Sequence, residues 1–149
     1  MEVILVTGTP GTGKTTLAKK LAKEKDYLYI DVNKVIEEKK LENGFDKKRD
    51  TKIIDTEKLN AALIKIIGEE KKKKSKGIII DSHMSHYLPK KYATRCIVTK
   101  CDLKTLKKRL EERGYSKAKV RENLDAEIFD VCKTEAVEIG HKVEVVYTD

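Results

Sequence analysis

Gly8-Thr9-Pro10-Gly11-Thr12-Gly13-Lys14-Thr15 fills every fixed position of the pattern G-x-x-x-x-G-K-[ST]. Glycines at those places let backbone N–H groups turn inward around a polyphosphate, the lysine brings a mobile positive charge, and the threonine hydroxyl can hold Mg²⁺. The chemistry on offer is the binding of a nucleoside triphosphate.

Further residues bear on what happens to that phosphate. Asp81 ends the apolar run Gly77 to Asp81 downstream of the loop, where an acid can orient Mg²⁺ or its water; such an Asp can also simply cap a turn. His83, two residues on, projects to the same side as Asp81 if the segment is extended, so it can orient a water or a phosphate, or lie in a surface loop. Arg109 and Arg113 stand four apart and share a helical face, a spacing suited to clamping phosphates as charge builds, or to complementing a helix C-terminus. Thr99-Lys100-Cys101-Asp102 mimics the guanine-reading [NT]-K-x-D element. Asp81, however, is followed by Ser82, His83 and Met84 rather than D-x-x-G, and Asp102 is better placed as an N-cap for the helix that starts at Leu103.

These residues need elements to hold them. Val3 to Thr7 is a short β-branched run and Thr15 to Lys25 carries Leu17, Ala18, Leu21 and Ala22 on one face, so the loop lies between a strand and a helix whose N-terminus faces the phosphates. Tyr27 to Asp31 reads as a strand and Val32 to Lys40 as a short helix. The polar, glycine-punctuated stretch Leu41 to Ile54 reads as a mobile insertion over a site. Leu59, Ala62, Leu63, Ile66 and Ile67 define a packed helix capped by Asp55. Gly77 to Asp81 and Arg95 to Thr99 are strands, with His86 in a loop between them. Leu103, Leu106 and Leu110 line a helix ending at Arg113-Gly114; Ser116 caps one long helix carrying Val120, Leu124, Ile128, Val131 and Ile139; Val143 to Tyr147 closes as a strand. Alternating strands and helices predict an α/β fold: a doubly wound parallel sheet flanked by helices.

At 149 residues the chain predicts one such domain. Thirty-three basic against 25 acidic residues give a net charge of +8, which favours polyanionic partners such as nucleotides and RNA; the Lys and Glu content is also the bias of proteins from hot environments. The basic run Lys71 to Lys76 suits a solvated loop or an RNA or protein contact. Cys96, Cys101 and Cys132 have no CxxC spacing and fit buried, reduced thiols; a zinc site made from Cys96, Cys101, His83 and His86 lacks a ligand spacing. Met1 leads directly into a strand and no apolar run could span a bilayer, so a soluble cytoplasmic protein is expected, with no membrane partner.

Taken together, these residues resemble the adenylate kinase isoenzyme 6 family, also known as coilin-interacting nuclear ATPase. The likeness rests on Gly8 to Thr16, on Gly44-Phe45-Asp46 with Asp50 and Ile53-Ile54-Asp55, on Asp81-x-His83 followed by Pro89, on Arg109-Leu110-x-x-Arg113-Gly114-Tyr115, and on Glu127-Ile128-Phe129. The resemblance implies a P-loop NTPase fold of the nucleoside-monophosphate-kinase kind and an ATP:AMP phosphotransferase with accompanying ATPase activity. It implies a monophosphate-binding insertion at about 31–54 and a short lid at about 112–122. Gly11, Gly13, Lys14, Thr15 and Thr16 would hold ATP with Arg109 and Arg113, Thr15 and Asp81 would hold Mg²⁺, and Lys14, Asp81, His83 and Arg113 would be the catalytic set. The family also implies AMP as acceptor and a part in small-ribosomal-subunit maturation through ribosomal protein S11 or ribosomal RNA; the alternative is an ATP-driven assembly factor with kinase activity secondary. Glu37 stands where such kinases carry an arginine, leaving Arg49 or nearby lysines to serve the acceptor phosphate, and the chain ends at Asp149 where family members usually continue into a helix.

Overall fold

The computed structural model describes residues 1–49 and 51–149; Asp50 lies outside the described residues. Five strands, β1 (Glu2–Gly8), β2 (Leu28–Asp31), β5 (Gly77–Asp81), β6 (Arg95–Lys100) and β7 (Val143–Tyr147), form one sheet in the order β2-β5-β1-β6-β7 with every pairing parallel. Period-2 alternation splits their side chains between two cores. Val3, Leu5, Ile78 and Ile80 face one side, while Ile4, Val6, Ile79 and Ile97 face the other. A strand apolar on both faces needs cover on both, which is why Gly77–Asp81 reads as a continuous apolar run and is buried throughout.

Helix α1 (Lys14–Lys25) covers the Ile4 face through Ala18 and Ala22. Helices α2 (Val32–Glu38) and α3 (Thr56–Lys72) cover the Leu5 face, where Val35, Ile36, Leu59, Leu63 and Ile67 are buried. Asp31 and Asp55 cap them, accepting from the N–H groups of Asn33 and Lys58 at 2.9 and 3.1 Å. A third cluster joins α4 (Leu103–Glu112) to α5 (Lys117–Ile128) through Leu106, Leu110 and Val120. Leu103, expected on that face, is exposed.

Two stretches differ from the sequence reading. Residues 41–54 hold an antiparallel hairpin of β3 (Glu42–Asp46) and β4 (Thr51–Ile54), with a register shift between Glu42 and Phe45. Because the hairpin is largely exposed, no apolar alternation marks its strands. The long last helix is two helices, α5 and α6 (Val131–Ile139), because Asp130 adopts a left-handed backbone (φ 52°) between them. The break leaves Ile128, Phe129 and Val131 exposed.

No helix among the described residues is long and apolar enough to cross a membrane.

Candidate active site

The parallel strands deliver their C-terminal ends to one edge, and the glycine-rich loop springs from the central one. Gly8 is required there, since a Cβ on it would stand 2.4 Å from the Thr99 hydroxyl oxygen. Gly13, at φ 83°, sets the left-handed turn from which α1 starts without a side-chain cap. The open N-terminal turn of α1 thus faces the loop's concavity, a ready anion site. The loop is fastened from outside: the Thr12 hydroxyl lies 2.7 Å from that of Thr99, and the Thr148 hydroxyl donates to the Thr12 carbonyl at 2.6 Å.

Lys14 folds back on the loop, its Nζ donating to the Thr9 carbonyl at 3.1 Å. Burial, only partly offset by Cys132 and Asp81, lowers its pKa from 10.5 to about 8. At the foot of the groove the Thr15 hydroxyl donates to Oδ2 of Asp81 at 2.8 Å, and the Tyr29 hydroxyl donates to the same oxygen at 2.7 Å. Burial and that carboxylate raise the Tyr29 phenol well above its ordinary value, so it stays a donor. The hydroxyl and carboxylate singled out for Mg²⁺ therefore meet. Among the described residues no cluster of three or more His, Cys, Asp or Glu side chains could enclose a metal. That donor set suits a hard cation held by one hydroxyl and one carboxylate, with phosphate oxygens and water completing its shell.

A groove of about 790 Å³ runs from the loop past Asp81, His83, Tyr87 and Arg49 to Glu122. A second cleft of about 590 Å³, lined by Leu17, Arg109, Val146, Tyr147 and Thr148, joins it at Gly11, Gly13, Thr16 and Arg113. Arg113 ends α4 at this junction and faces both spaces. His83 is exposed within the groove. Although part of its surface is open, the groove around the ring strips it of water, and this desolvation, followed by the Lys14 charge, lowers its pKa from 6.5 to about 4, so the imidazole is neutral at pH 7.

Arg109 lines the second cleft together with Arg113. Its guanidinium donates to the carbonyls of Gly11 (3.2 Å) and Thr148 (2.9 Å), which makes it a wall of the second cleft. Asp102 is committed as an N-cap, accepting from the N–H and hydroxyl of Thr105 at 2.9 and 2.7 Å, so its carboxylate is not turned to a base. The segment after β3 meets α5 beside the groove, where Arg49 Nε lies 3.7 Å from Glu122 and 4.0 Å from Asp46. Of the cysteines, Cys96 and Cys101 are buried and Cys132 lines the groove half-buried, its thiol raised to about 11 by burial.

His86, read from the sequence as a loop residue, is fully buried in the 3₁₀ turn Ser85–Tyr87. Its Nδ1 lies 2.6 Å from the Thr7 hydroxyl and its Nε2 3.2 Å from Glu135, which also accepts from the Tyr87 hydroxyl at 3.0 Å. Burial holds the imidazole below its usual pKa despite Glu135, so the neutral ring donates from Nε2 to the carboxylate and accepts the threonine proton at Nδ1. Its partners lie 79 and 49 residues away, so no local pattern announces this network.

A family profile described as "AAA domain" matches residues 4–130. A protein of Methanosarcina acetivorans named "Putative adenylate kinase" is 42% identical over 95% of this chain and 74% of its own length. The "Adenylate kinase isoenzyme 6 homolog" of Caenorhabditis elegans is 35% identical over 91% of this chain and 72% of its own. Among solved structures, a sugar kinase from Janibacter matches with TM-score 0.66 at 15% identity over 99% of this chain and 85% of that one. Shikimate kinase from Bacteroides thetaiotaomicron matches with TM-score 0.62 at 15% identity over 98% and 85%. At that identity the structures share the fold alone.

Proposed function

We propose that this chain, which belongs to the adenylate kinase isoenzyme 6 family, moves the γ-phosphoryl group of ATP to AMP. The observation that carries this reading is the contact between Thr15 and Asp81 at the foot of a groove that continues in two directions. Donor and acceptor can then approach the phosphate loop from opposite sides. The base of ATP takes the cleft walled by Arg109, Tyr147 and Thr148, and AMP takes the groove toward Tyr87 and Arg49.

Phosphoryl transfer leaves little covalent work to the protein, so positioning and charge supply most of the rate. Lys14 leaves the Thr9 carbonyl for the β- and γ-phosphates, trading a neutral acceptor for anionic ones. Arg113, at the junction of the two spaces, neutralises charge as it builds on the transferring group. Thr15 and Asp81 are the residues that would hold Mg²⁺, which when bound screens the phosphate oxygens. The AMP phosphate is already ionised, so no general base is needed. When AMP is absent, water reaches the same place, and the neutral, exposed His83 is available to orient it; this is the accompanying ATPase reaction. Coupled detection of ADP from ATP, with and without AMP, tests the assignment: AMP should multiply the rate, and Lys14→Ala should abolish both reactions while the protein stays folded. A rate indifferent to AMP would instead support the ATPase switch. A ribosomal role through ribosomal protein S11 or ribosomal RNA is supported by the family resemblance and the net charge of +8.

A further inference from the structure

Glu127, from the Glu127-Ile128-Phe129 motif, takes no part in the reaction just described, yet its carboxylate is only 5% exposed. A buried carboxylate is costly unless its oxygens are occupied, and these are. Oε1 accepts from the Thr9 hydroxyl at 3.1 Å and lies 3.3 Å from Lys100 Nζ, while Oε2 accepts from the backbone N–H of Cys101 at 3.1 Å. Lys100 is itself held by Asp130, at the break between α5 and α6.

Each partner matters for the phosphate loop. Thr9 belongs to that loop, and its carbonyl is the acceptor for Lys14 Nζ and, at 2.6 Å, for the Thr12 hydroxyl. Cys101 directly follows β6, whose Thr99 meets Thr12 from the other side. Glu127 sits in the last turn of α5, the helix that begins at the Arg113–Ser116 turn and lines the groove with Lys119, Glu122, Asn123 and Ala126. One helix therefore carries the lid turn at its start and the grip on the loop at its end.

We propose that Glu127 is a positioning residue of the phosphate loop: by holding Thr9 and the end of β6 it fixes the carbonyl that parks Lys14, and it ties the loop to the lid-bearing helix. This rests on the reading that the loop takes the triphosphate. A glutamine can still accept from Cys101 N–H, but toward Thr9 and Lys100 it turns an N–H where the carboxylate has an anionic oxygen, which reverses the Thr9 contact and removes the charge facing Lys100.

Thr9→Val and Glu127→Gln, singly and combined, are titrated calorimetrically with Mg-ATP, tripolyphosphate and adenosine. Each single change is expected to weaken ATP and tripolyphosphate about tenfold, the size of one lost hydrogen bond to a charged group, and to leave adenosine unchanged. The double variant is expected to lose less than the product of the two, because both alter the shared Thr9–Glu127 contact. Equal losses for adenosine, full additivity, or wild-type tripolyphosphate binding in Thr9→Val would overturn the proposal. Failure of the unaltered protein to bind ATP or tripolyphosphate would instead strike the reading of the loop itself. If Glu127→Gln does not fold, Thr9→Val carries the test alone.

Discussion

The hydroxyl of Thr15 donates to Oδ2 of Asp81 at 2.8 Å, joining the first turn of α1 to the end of β5 although 66 residues separate them. That contact turns a loop motif and a strand-terminal acid into one site.

Asp81→Asn keeps the shape of this site and removes its charge. The rate is expected to fall about 100-fold, the loss typical of one electrostatic contact in a transition state, and the Mg²⁺ concentration at half-maximal rate is expected to rise. Tyr29→Phe, which removes only the second donor to Oδ2, should lower the rate a few-fold. Rates measured across a Mg²⁺ series check both, and an Asp81→Asn enzyme with unaltered Mg²⁺ dependence would remove Asp81 from the metal's shell.

Lys14 costs the ligand-free protein stability. Its pKa falls from 10.5 in the unfolded chain to about 8 in the fold, so below pH 8 the cation carries its full burial penalty, which fades as pH rises from 8 to 10.5. Lys14→Met is therefore expected to raise the melting temperature at pH 7 by a few degrees, about 1 kcal/mol, while abolishing the further rise that Mg-ATP gives the unaltered protein. Melting curves with and without Mg-ATP decide it; a lower melting temperature in the variant would contradict the burial argument.

Under the proposed transfer to AMP, Arg49, which lines the groove with Lys52 and Lys119, is the arginine expected to meet the acceptor phosphate. Its contacts with Glu122 and Asp46 are long and exposed, worth little, and readily exchanged for a phosphate. Arg49→Ala is expected to raise KM for AMP about tenfold and leave KM for ATP and the melting temperature unchanged. Steady-state kinetics with each substrate varied would show this split, and an unchanged KM for AMP would assign the acceptor phosphate elsewhere.

What the sequence made legible follows from which forces act locally. Strands buried on both faces advertise themselves as apolar runs, the phosphate loop is a contiguous octapeptide, and Asp31, Asp55, Asp102 and Ser116 cap helices within three residues of themselves. The hairpin at 42–54 left no such trace because it is largely exposed. Asp130 breaks α5 from α6 with neither Gly nor Pro to signal it. Arg109 pairs with Gly11 across 98 residues, Tyr29 with Asp81 across 52, and His86 with Thr7 across 79; composition fixes none of these pairings.

His86 makes the last of these measurable. It faces Thr7 on β1, Glu135 on α6, the neighbouring Tyr87, and His141, which donates to its backbone carbonyl at 2.9 Å. Burial dominates over the Glu135 attraction and depresses its pKa below 6.5. The unfolded chain therefore binds a proton at His86 more readily than the fold does, so stability that is full above about pH 6.5 is lost as pH falls toward the depressed value. His86→Phe should cost about 1–2 kcal/mol at pH 7, because the buried Thr7 hydroxyl loses its partner, while the partly exposed Glu135 carboxylate keeps the Tyr87 hydroxyl. It should also flatten the decline between pH 7 and pH 5. Urea unfolding across that range gives both numbers, and a variant that keeps the unaltered slope would show that the acid sensitivity belongs to another group.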